Sequence, residues 1–335
     1  MVSGLAAQLL SGDRRALAKA ITLAESTRDD DRQAAEALMA AVHARTGGSV
    51  RVGISGTPGV GKSTFINVLG ERLTARGLTL AVLTVDPTST VSGGSILGDK
   101  TRMPSLAQSP DAYIRPSPAG TGLGGVARRT REALLLCEAA GFDVVLVETV
   151  GVGQSELAVA GMVDTFVLLL APAGGDELQG IKRGVMELAD LVVVTKADGP
   201  LQPAARQAAA AHRHALHLQR PRSPAWVPEV LVCSAATGAG VDEVWACVER
   251  HRSSLGSSGD LQRLRGRQAQ DWLWADVTDR VMVAVRALPA AAEAEAEVAA
   301  GRLAPSVAAA RLADAALHGA TPGAGPGAAR PDLAS

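Results

Sequence analysis

Aromatic residues are scarce in this chain of 335 residues, which has three Phe, one Tyr and four Trp. Because the large aromatic side chains are so few, we expect the interior to be built from Val, Leu, Ile and Ala. The three cysteines, Cys137, Cys233 and Cys247, lie far apart and form no C-x-x-C pair. This spacing gives no support to a paired-cysteine metal site and indicates reduced, buried thiols.

An excess of positive charge is also missing. The chain has 33 Lys and Arg against 34 Asp and Glu, a formal net charge of −1. With no dense basic cluster, a nucleic acid or a membrane surface has no electrostatic support as a partner. The longest apolar run, at 166–171, is far shorter than the roughly 20 residues that span a membrane. The first residues show no secretion signal, so we expect a cytoplasmic protein.

The chain does contain a phosphate-loop motif. Residues 56–63 read Gly-Thr-Pro-Gly-Val-Gly-Lys-Ser and fit G-x-x-x-x-G-K-[ST] at every fixed position, between a strand-like and a helix-like run. The glycines let successive N–H groups point at one centre, and the following helix adds its positive dipole end. A glycine-rich turn that matches by chance is the alternative, and the strand, loop, helix context argues against it.

We therefore predict a nucleoside triphosphate site in which Lys62 bridges the β- and γ-phosphates and the Ser63 hydroxyl binds Mg²⁺. The predicted phosphate-binding residues are Gly56, Thr57, Pro58, Gly59, Val60, Gly61, Lys62, Ser63 and Thr64.

Short β-branched runs alternate with helical patterns from Val52 onward, which is typical of a parallel sheet covered by helices on both faces. We predict an α/β P-loop NTPase fold with N-terminal helices and a C-terminal helical arm. The candidate strands are 51–55, 80–85, 112–115, 143–148, 164–170, 190–195 and 229–233. The predicted regions are an N-terminal helical extension at 1–48, the nucleotide domain at 49–255, the helical arm at 256–318 and a disordered tail at 319–335.

Residues directly after the strands are expected at the ligand edge of such a sheet. Asp86 follows the strand 80–85 and is a candidate Mg²⁺ ligand. The segment Glu148-Thr149-Val150-Gly151 has the spacing of the D-x-x-G segment of GTPases, so Glu148 is predicted near Mg²⁺ and the Gly151 N–H near the γ-phosphate. Val152 stands where Ras-like proteins carry the water-orienting Gln, and Gln154 is the candidate two positions later.

Two further loops carry both signs of charge. Residues 93–103 contain three glycines and suit a γ-phosphate sensor, with a solvated surface loop as the alternative. The loop at 174–183 suits a third moving element or an ordinary strand-to-helix connection, and the sequence leaves both open.

A guanine reader is expected after the strand 190–195, where the chain has Thr195-Lys196-Ala197-Asp198. Asp198 can accept from the N1–H and the 2-amino group of guanine, a donor pair that adenine lacks. The Lys196 stem can lie over the base. Ser234 and Ala235 follow the last strand, where a backbone N–H would meet guanine O6.

Together these segments resemble the MeaB/ArgK family of GTPases, the bacterial relatives of the methylmalonic aciduria type A protein. The resemblance is carried above all by Asp86-Pro87-Thr88-Ser89, by 98–103 (GDKTRM) and by 148–154 (ETVGVGQ), and it covers about residues 5 to 315. It implies a GTP-hydrolysing chaperone that gates cofactor loading of an adenosylcobalamin-dependent acyl-CoA mutase, usually methylmalonyl-CoA mutase, and protects it. Thr195 departs from the Asn that family members commonly carry.

The resemblance also implies roles for individual residues. Ser63, Asp86, Asp99 and Glu148 would surround Mg²⁺, and the bound nucleotide would be GTP or GDP. The segments 92–103, 149–157 and 174–183 would be switches I, II and III, and the C-terminal helices would build a homodimer. The candidate catalytic residues are Lys62, Gln154 and Lys182.

Two other function classes share enough of these features to be kept as alternatives. A nickel-insertion GTPase shares the fold and should carry a Cys or His site near the switches. An ATP-dependent kinase or transport ATPase would prefer ATP to GTP. We further predict that a cognate mutase accelerates hydrolysis, because Val152 occupies the position of the expected Gln.

Overall fold

The computed structural model describes residues 2–26, 28–85, 103–117, 123–149, 155–172, 183–217 and 221–318. Three helices come first: α1 (Val2–Leu10), α2 (Arg14–Glu25) and α3 (Asp29–Val42), before a 3₁₀ turn at His43–Arg45. Asp13 caps α2, since its carboxylate accepts from the N–H groups of Arg15 and Ala16 at 2.7 and 3.0 Å. The helical character predicted for 1–48 is confirmed.

Seven strands form one parallel sheet within the described residues. They are β1 (Val50–Gly56), β2 (Leu80–Val85), β3 (Ala112–Ser117), β4 (Val144–Thr149), β5 (Thr165–Leu170), β6 (Leu191–Val194) and β7 (Glu229–Val232). Their order across the sheet is β3-β2-β4-β1-β5-β6-β7, so β1 lies at the centre. The strands predicted from the sequence agree with these to within two residues at each end, and the parallel α/β fold is confirmed.

The helices that accompany the sheet are α4 (Lys62–Ala75), α5 (Pro104–Gln108), α6 (Leu123–Ala139), α7 (Ser155–Ala160), α8 (Arg183–Met186), α9 (Gln202–His217) and α10 (Val241–Ser258). Alternate residues of the central strands pack on opposite faces of the sheet. Phe65 and Leu69 of α4 and Trp245 of α10 belong to the core on one face, and Ala205 and Ala209 of α9 belong to a second core on the opposite face of β5 and β6. With both faces covered, β2, β5 and β6 are buried along their whole length and almost entirely apolar, in agreement with the prediction that several strands are apolar on both faces.

Three more helices follow: α11 (Asp260–Arg286), α12 (Pro289–Ala299) and α13 (Pro305–His318). Pro289 is the first residue of α12, a position where its missing N–H costs no hydrogen bond. By compactness the chain divides into Met1–Ala269 and Gln270–Ser335. The predicted domain limits at 255 and 318 stay predictions, and the tail predicted as disordered at 319–335 lies outside the described residues.

Within the described part of the chain, no helix has the length and apolar character needed to cross a bilayer.

Candidate nucleotide-binding site

The phosphate loop connects the central strand β1 to helix α4, at the carboxyl edge of the sheet. Gly59 and Gly61 have φ of +79° and +99°, in the left-handed region that glycine adopts without strain. A Cβ on Gly56 would come within 2.5 Å of the Leu169 carbonyl oxygen, so only glycine fits between the loop and β5. The sequence prediction that these glycines shape the backbone of the loop agrees with this geometry.

Lys62 is the first residue of α4 and only 7% exposed. Its Nζ donates to the carbonyl oxygens of Gly56 at 2.7 Å and Thr57 at 3.1 Å. The Lys62 ammonium group therefore points back into the phosphate loop, which directly precedes it in sequence. A buried cation enclosed by a glycine-rich turn and a helix N-terminus is suited to bind an anion such as phosphate.

Ser63 and Glu148 come from different elements and meet at the edge of the sheet. Ser63 Oγ, at the start of α4, donates to Glu148 Oε1 at 3.0 Å, and Glu148 lies in β4. A hydroxyl and a carboxylate are hard oxygen ligands of the kind Mg²⁺ prefers, so this pair fits the predicted metal. Asp86 and Asp99, the other two predicted metal ligands, lie outside the described residues.

The next residue of β4, Thr149, links that strand to the central strand β1. Thr149 Oγ1 donates to Ser55 Oγ at 2.9 Å, and both residues are buried. Ser55 directly precedes the phosphate loop, and Thr149 is the first residue of the predicted switch II. This hydroxyl pair fixes the two loop starts relative to each other. Sequence reasoning missed it, because Ser and Thr at strand ends carry no distinctive spacing.

The predicted base-reading residues gather after β6 and β7. Asp198 Oδ1 accepts from Ser234 Oγ at 2.5 Å, and the Ala197 N–H donates to the Cys233 carbonyl at 3.0 Å. The Ser234 N–H donates to the Ala239 carbonyl at 2.9 Å, so Ala235 is the better candidate for guanine O6. Two loops that are 36 residues apart in sequence thus form one surface, with Asp198 oriented by its neighbour.

Lys196 has a φ of +54°, a positive value that no other non-glycine residue in the described part of the chain shows. Left-handed backbone at a residue other than Gly, Asn or Asp is strained and is often found at functional sites. It lies in the loop that also carries Asp198, where the sequence predicted that its stem covers the base.

Residues 17–290 of the chain match the family described as "Methylmalonyl Co-A mutase-associated GTPase MeaB". This chain belongs to that family. The probable GTPase Rv1496 of Mycobacterium tuberculosis is 54% identical over 315 residues, which cover 93% of this chain and 94% of that protein. The mouse protein named "Methylmalonic aciduria type A homolog, mitochondrial" is 49% identical over 315 residues, which cover 90% of this chain and 76% of the mouse protein.

A solved structure supports the same assignment. The crystal structure titled "LAO/AO transport system kinase" has a TM-score of 0.74 and 36% identity to this chain. The match covers 93% of this chain and 96% of that one. The resemblance expected from the motifs is therefore confirmed. As a member of the MeaB family, the chain is a G protein linked to methylmalonyl-CoA mutase by the family's name, and binding of guanine nucleotides follows from that membership.

Thr195 is the position at which this MeaB-family chain departs from the expected Asn. Its hydroxyl lies 2.7 Å from the Val60 carbonyl oxygen in the phosphate loop and 3.2 Å from that of Leu170 in β5. The residue is only 3% exposed. From the sequence, Thr195 was notable only for the amide that it lacks, and nothing in the spacing indicated this contact with the phosphate loop.

Several predicted site residues are not described by the structure. Gly151, Gln154 and Lys182 lie outside the described residues, as do the greater part of switch I and most of switch III. Their roles stay predictions. The described residues bring together Lys62, the loop before it and the Ser63–Glu148 pair at the predicted phosphate side, and Asp198 and Ser234, with Lys196 in the same loop as Asp198, at the predicted base side.

The three cysteines are free and buried, as the sequence predicted. Burial raises the pKa of Cys233, which directly precedes Ser234, to about 12, and it raises the pKa of Cys247 to about 12. Both thiols therefore stay protonated at neutral pH when no metal is bound. No group of three or more His, Cys, Asp and Glu side chains that could hold a metal ion occurs in the ranges that the structure describes.

Proposed function

We propose that this MeaB-family protein is a GTP-hydrolysing chaperone for an adenosylcobalamin-dependent acyl-CoA mutase, with methylmalonyl-CoA mutase as the client. In this proposal it assembles with the mutase, protects it and gates loading of its cofactor. The observation that carries the GTPase part is the arrangement of Lys62 inside the phosphate loop beside the Ser63–Glu148 pair. The mutase part is supported by the family name and by the name of the mouse relative.

The proposed reaction is phosphoryl transfer to water. The water oxygen forms a bond to the γ-phosphorus while the bond from that phosphorus to the β–γ bridging oxygen breaks, which yields GDP and inorganic phosphate. Lys62 supplies positive charge to the β- and γ-phosphate oxygens, and the loop N–H groups orient them. Ser63 and Glu148 would hold Mg²⁺, with Asp86 and Asp99 as further proposed ligands. When bound, Mg²⁺ neutralises charge on the phosphate oxygens.

Gln154 is the proposed residue that orients the attacking water, and Gly151 and Lys182 are proposed to contact the γ-phosphate side from the switches. Base selection is assigned to Asp198, whose carboxylate accepts from guanine N1–H and the 2-amino group. Loss of the γ-phosphate would release the switch segments, and the mutase would respond to that release. The proposal places this cycle in the cytoplasm.

We also propose that the C-terminal helices pair with a second copy of the chain. The support is a set of exposed apolar side chains on α11, among which Trp274 is 67% exposed and Leu273 58%. Exposed apolar stripes of this kind often mark surfaces that another protein chain covers.

The proposed function predicts a GTPase that a mutase accelerates. Purified protein should hydrolyse GTP in preference to ATP, and added methylmalonyl-CoA mutase should raise the rate about tenfold or more. Lys62→Ala should abolish both the basal and the stimulated rates, because the phosphates lose their cation. Phosphate release, measured with each nucleotide and with and without mutase, checks this.

Lys19→Ala is the matched control, since Lys19 is an exposed lysine on α2. It should leave both rates as they are. Preference for ATP would favour the kinase or transport ATPase alternative. If no adenosylcobalamin-dependent mutase changes the rate of GTP hydrolysis, the proposal that a mutase is the client is contradicted. If Lys62→Ala binds GTP normally, the proposed nucleotide site and the function built on it are contradicted.

A further inference from the structure

Arg72 connects helix α4 to the loop 234–240, which carries predicted base-side residues. It lies in the last turn of α4, ten residues after Lys62, which places it about 15 Å further along the helix axis. Its Nη2 donates to the Gly238 carbonyl oxygen at 2.8 Å, and its Nη1 donates to a carboxylate oxygen of Asp242 at the start of α10. The helix that begins at the phosphate loop therefore contacts, with its other end, the loop that follows β7.

Gly238 is the residue at which the loop meets this arginine. Its φ is +76°, in the left-handed region, and a Cβ at this position would overlap the Arg72 guanidinium group. Gly240, with a φ of +78°, directly precedes α10. Two glycines in such conformations give the loop little intrinsic preference for one shape. The hydrogen bond from α4 therefore restricts the loop at Gly238.

Hydrogen bonds within the loop connect Gly238 to the predicted base contact. The Ser234 N–H donates to the Ala239 carbonyl at 2.9 Å, and the Thr237 N–H donates to Ser234 Oγ at 3.3 Å. The residues on both sides of Gly238 are thus bonded to Ser234. Since Ala235 directly follows Ser234, the position of Gly238 affects the direction of the Ala235 N–H, which is predicted to meet guanine O6.

A backbone N–H at this place distinguishes the two purine bases. Guanine carries an acceptor, O6, where adenine carries a 6-amino donor. An N–H that is held against this position attracts guanine and opposes adenine, whereas an N–H that can turn away does neither. Holding the loop therefore adds to the guanine preference that Asp198 is proposed to supply.

We propose that Arg72 is a positioning residue for base recognition, which holds the loop 234–240 in the conformation that selects guanine. The proposal rests on the proposed nucleotide site. The side chains of Arg72 and Asp242 are 33% and 46% exposed, and ion pairs exposed to this extent add little stability. We therefore expect removal of the guanidinium group to change base preference more than folding.

The test removes that group and compares base preference with turnover. Arg72→Met keeps an unbranched side chain and leaves the Gly238 carbonyl without its donor. We expect the affinity for GDP to fall about fivefold and the affinity for ADP to stay within about twofold of the parent, measured by displacement of a fluorescent GDP analogue. In GTP hydrolysis, KM should rise by a similar factor and kcat should stay within about twofold, because Arg72 contacts the base loop and not the reacting groups.

Arg76 offers a matched control at the same end of α4. Its Nη2 donates to the other carboxylate oxygen of Asp242 at 2.7 Å, and its side chain is 45% exposed. Because Arg76 shares Asp242 but not the Gly238 carbonyl, Arg76→Met should leave GDP affinity and base preference within about twofold of the parent.

Two further measurements complete the comparison. Arg72→Lys keeps a charged donor and should keep GDP affinity within about threefold of the parent. Urea unfolding of each nucleotide-free variant separates lost affinity from lost folding.

Three results would overturn the proposal. The first is an Arg72→Met protein with the parent's preference for GDP over ADP. The second is an Arg76→Met protein that loses this preference as much as Arg72→Met does, which would assign the effect to the Asp242 ion pair. If Arg72→Met does not fold, Arg72→Gln replaces it; the third result is that neither variant folds. A parent protein without preference for GDP over ADP would contradict the proposed function instead, and the parent alone reveals that result.

Discussion

Glu148 and Ser63 show how single residues far apart in sequence form the candidate metal site. They are 85 positions apart, yet their side-chain oxygens lie 3.0 Å from each other. This is because β4, which neighbours β1, ends at the carboxyl edge of the sheet, where α4 begins. Glu148 is buried, so its negative charge is costly unless a cation or hydrogen-bond donors accompany it. A bound Mg²⁺ would supply that cation, and the hydroxyl would supply a second oxygen.

For this single residue we predict that Glu148→Gln weakens the binding of Mg²⁺ and slows the hydrolysis that depends on it. The amide keeps the shape of the side chain and removes its charge, so the Mg²⁺ concentration for half-maximal hydrolysis should rise about tenfold and the maximal rate should fall about 100-fold. Titration of Mg²⁺ at saturating GTP measures both. Glu71→Gln, an exposed site on α4, is the control. A Glu148→Gln protein with the parent's Mg²⁺ requirement would remove Glu148 from the metal site.

Among the described helices, the long helix α11 carries the most exposed large apolar side chains. Leu273, Val277 and Val281 recur every four residues and are exposed, and Trp274 lies beside them. Residues four apart lie one turn apart on the same side of a helix, so these side chains form a continuous stripe. Exposing such a stripe to water costs free energy, and covering it with another surface is favourable.

We therefore predict that charges on the stripe prevent self-association. Trp274→Asp combined with Val281→Asp should convert a dimer into a monomer, because a carboxylate placed in an apolar interface is costly. Size-exclusion chromatography with light scattering measures the mass. Asp279→Lys is the matched control, since Asp279 is exposed and lies two residues from both Val277 and Val281, on the other side of the helix. A parent chain that is monomeric at tens of micromolar would contradict the proposed homodimer.

Two ion pairs with buried carboxylates lie at the amino edge of the sheet, opposite to the candidate site. Arg51 in β1 forms two hydrogen bonds of 2.8 Å with Glu138 of α6, and Arg265 of α11 contacts Asp164 before β5 at 2.7 Å. Such pairs add little net stability relative to apolar residues, but losing one partner leaves a buried charge. They fix which helix covers which strand.

His251 lies at the same edge and is buried. Its Nδ1 lies 2.7 Å from Thr165 Oγ1, its ring meets Trp226 edge-on at 4.9 Å, and its Nε2 lies 3.9 Å from Asp190. Burial lowers the pKa of His251, although the charges of Asp190 and Asp164 act against this.

Since the pKa of His251 is lower in the folded chain, the unfolded chain takes up the proton first as pH falls. Above the unfolded-state pKa of about 6.5, His251 should therefore add no pH dependence to the free energy of unfolding. As pH falls from there toward the folded-state pKa, the free energy of unfolding should decrease. His251→Gln keeps a polar partner for Thr165 and should reduce this decrease. Urea unfolding at pH 7.5 and pH 5.5 measures it, with His214→Gln, on an exposed histidine of α9, as the control. Equal pH dependence in parent and His251→Gln would contradict the assignment.

Much of the fold was predictable because its signals are local. The β-branched runs predicted all seven strands of the described sheet, since strands covered on both faces are rich in apolar side chains. The phosphate loop was equally clear, because the glycines and the following Lys62 act within one short turn. The roles of Gly151, Gln154, Lys182, Asp86 and Asp99 still stand on motif spacing and resemblance alone.

What the sequence determined by itself is therefore the order of strands and helices along the chain, the position of the phosphate loop and the family to which its motifs point. The tertiary structure decided which of these local features meet. Thr195 reaches Val60 across 135 residues, and Thr149 reaches Ser55 across 94. Neither contact has a sequence pattern, because a hydroxyl is directed by the packing of neighbouring strands, and that packing exists only after the parallel sheet has formed.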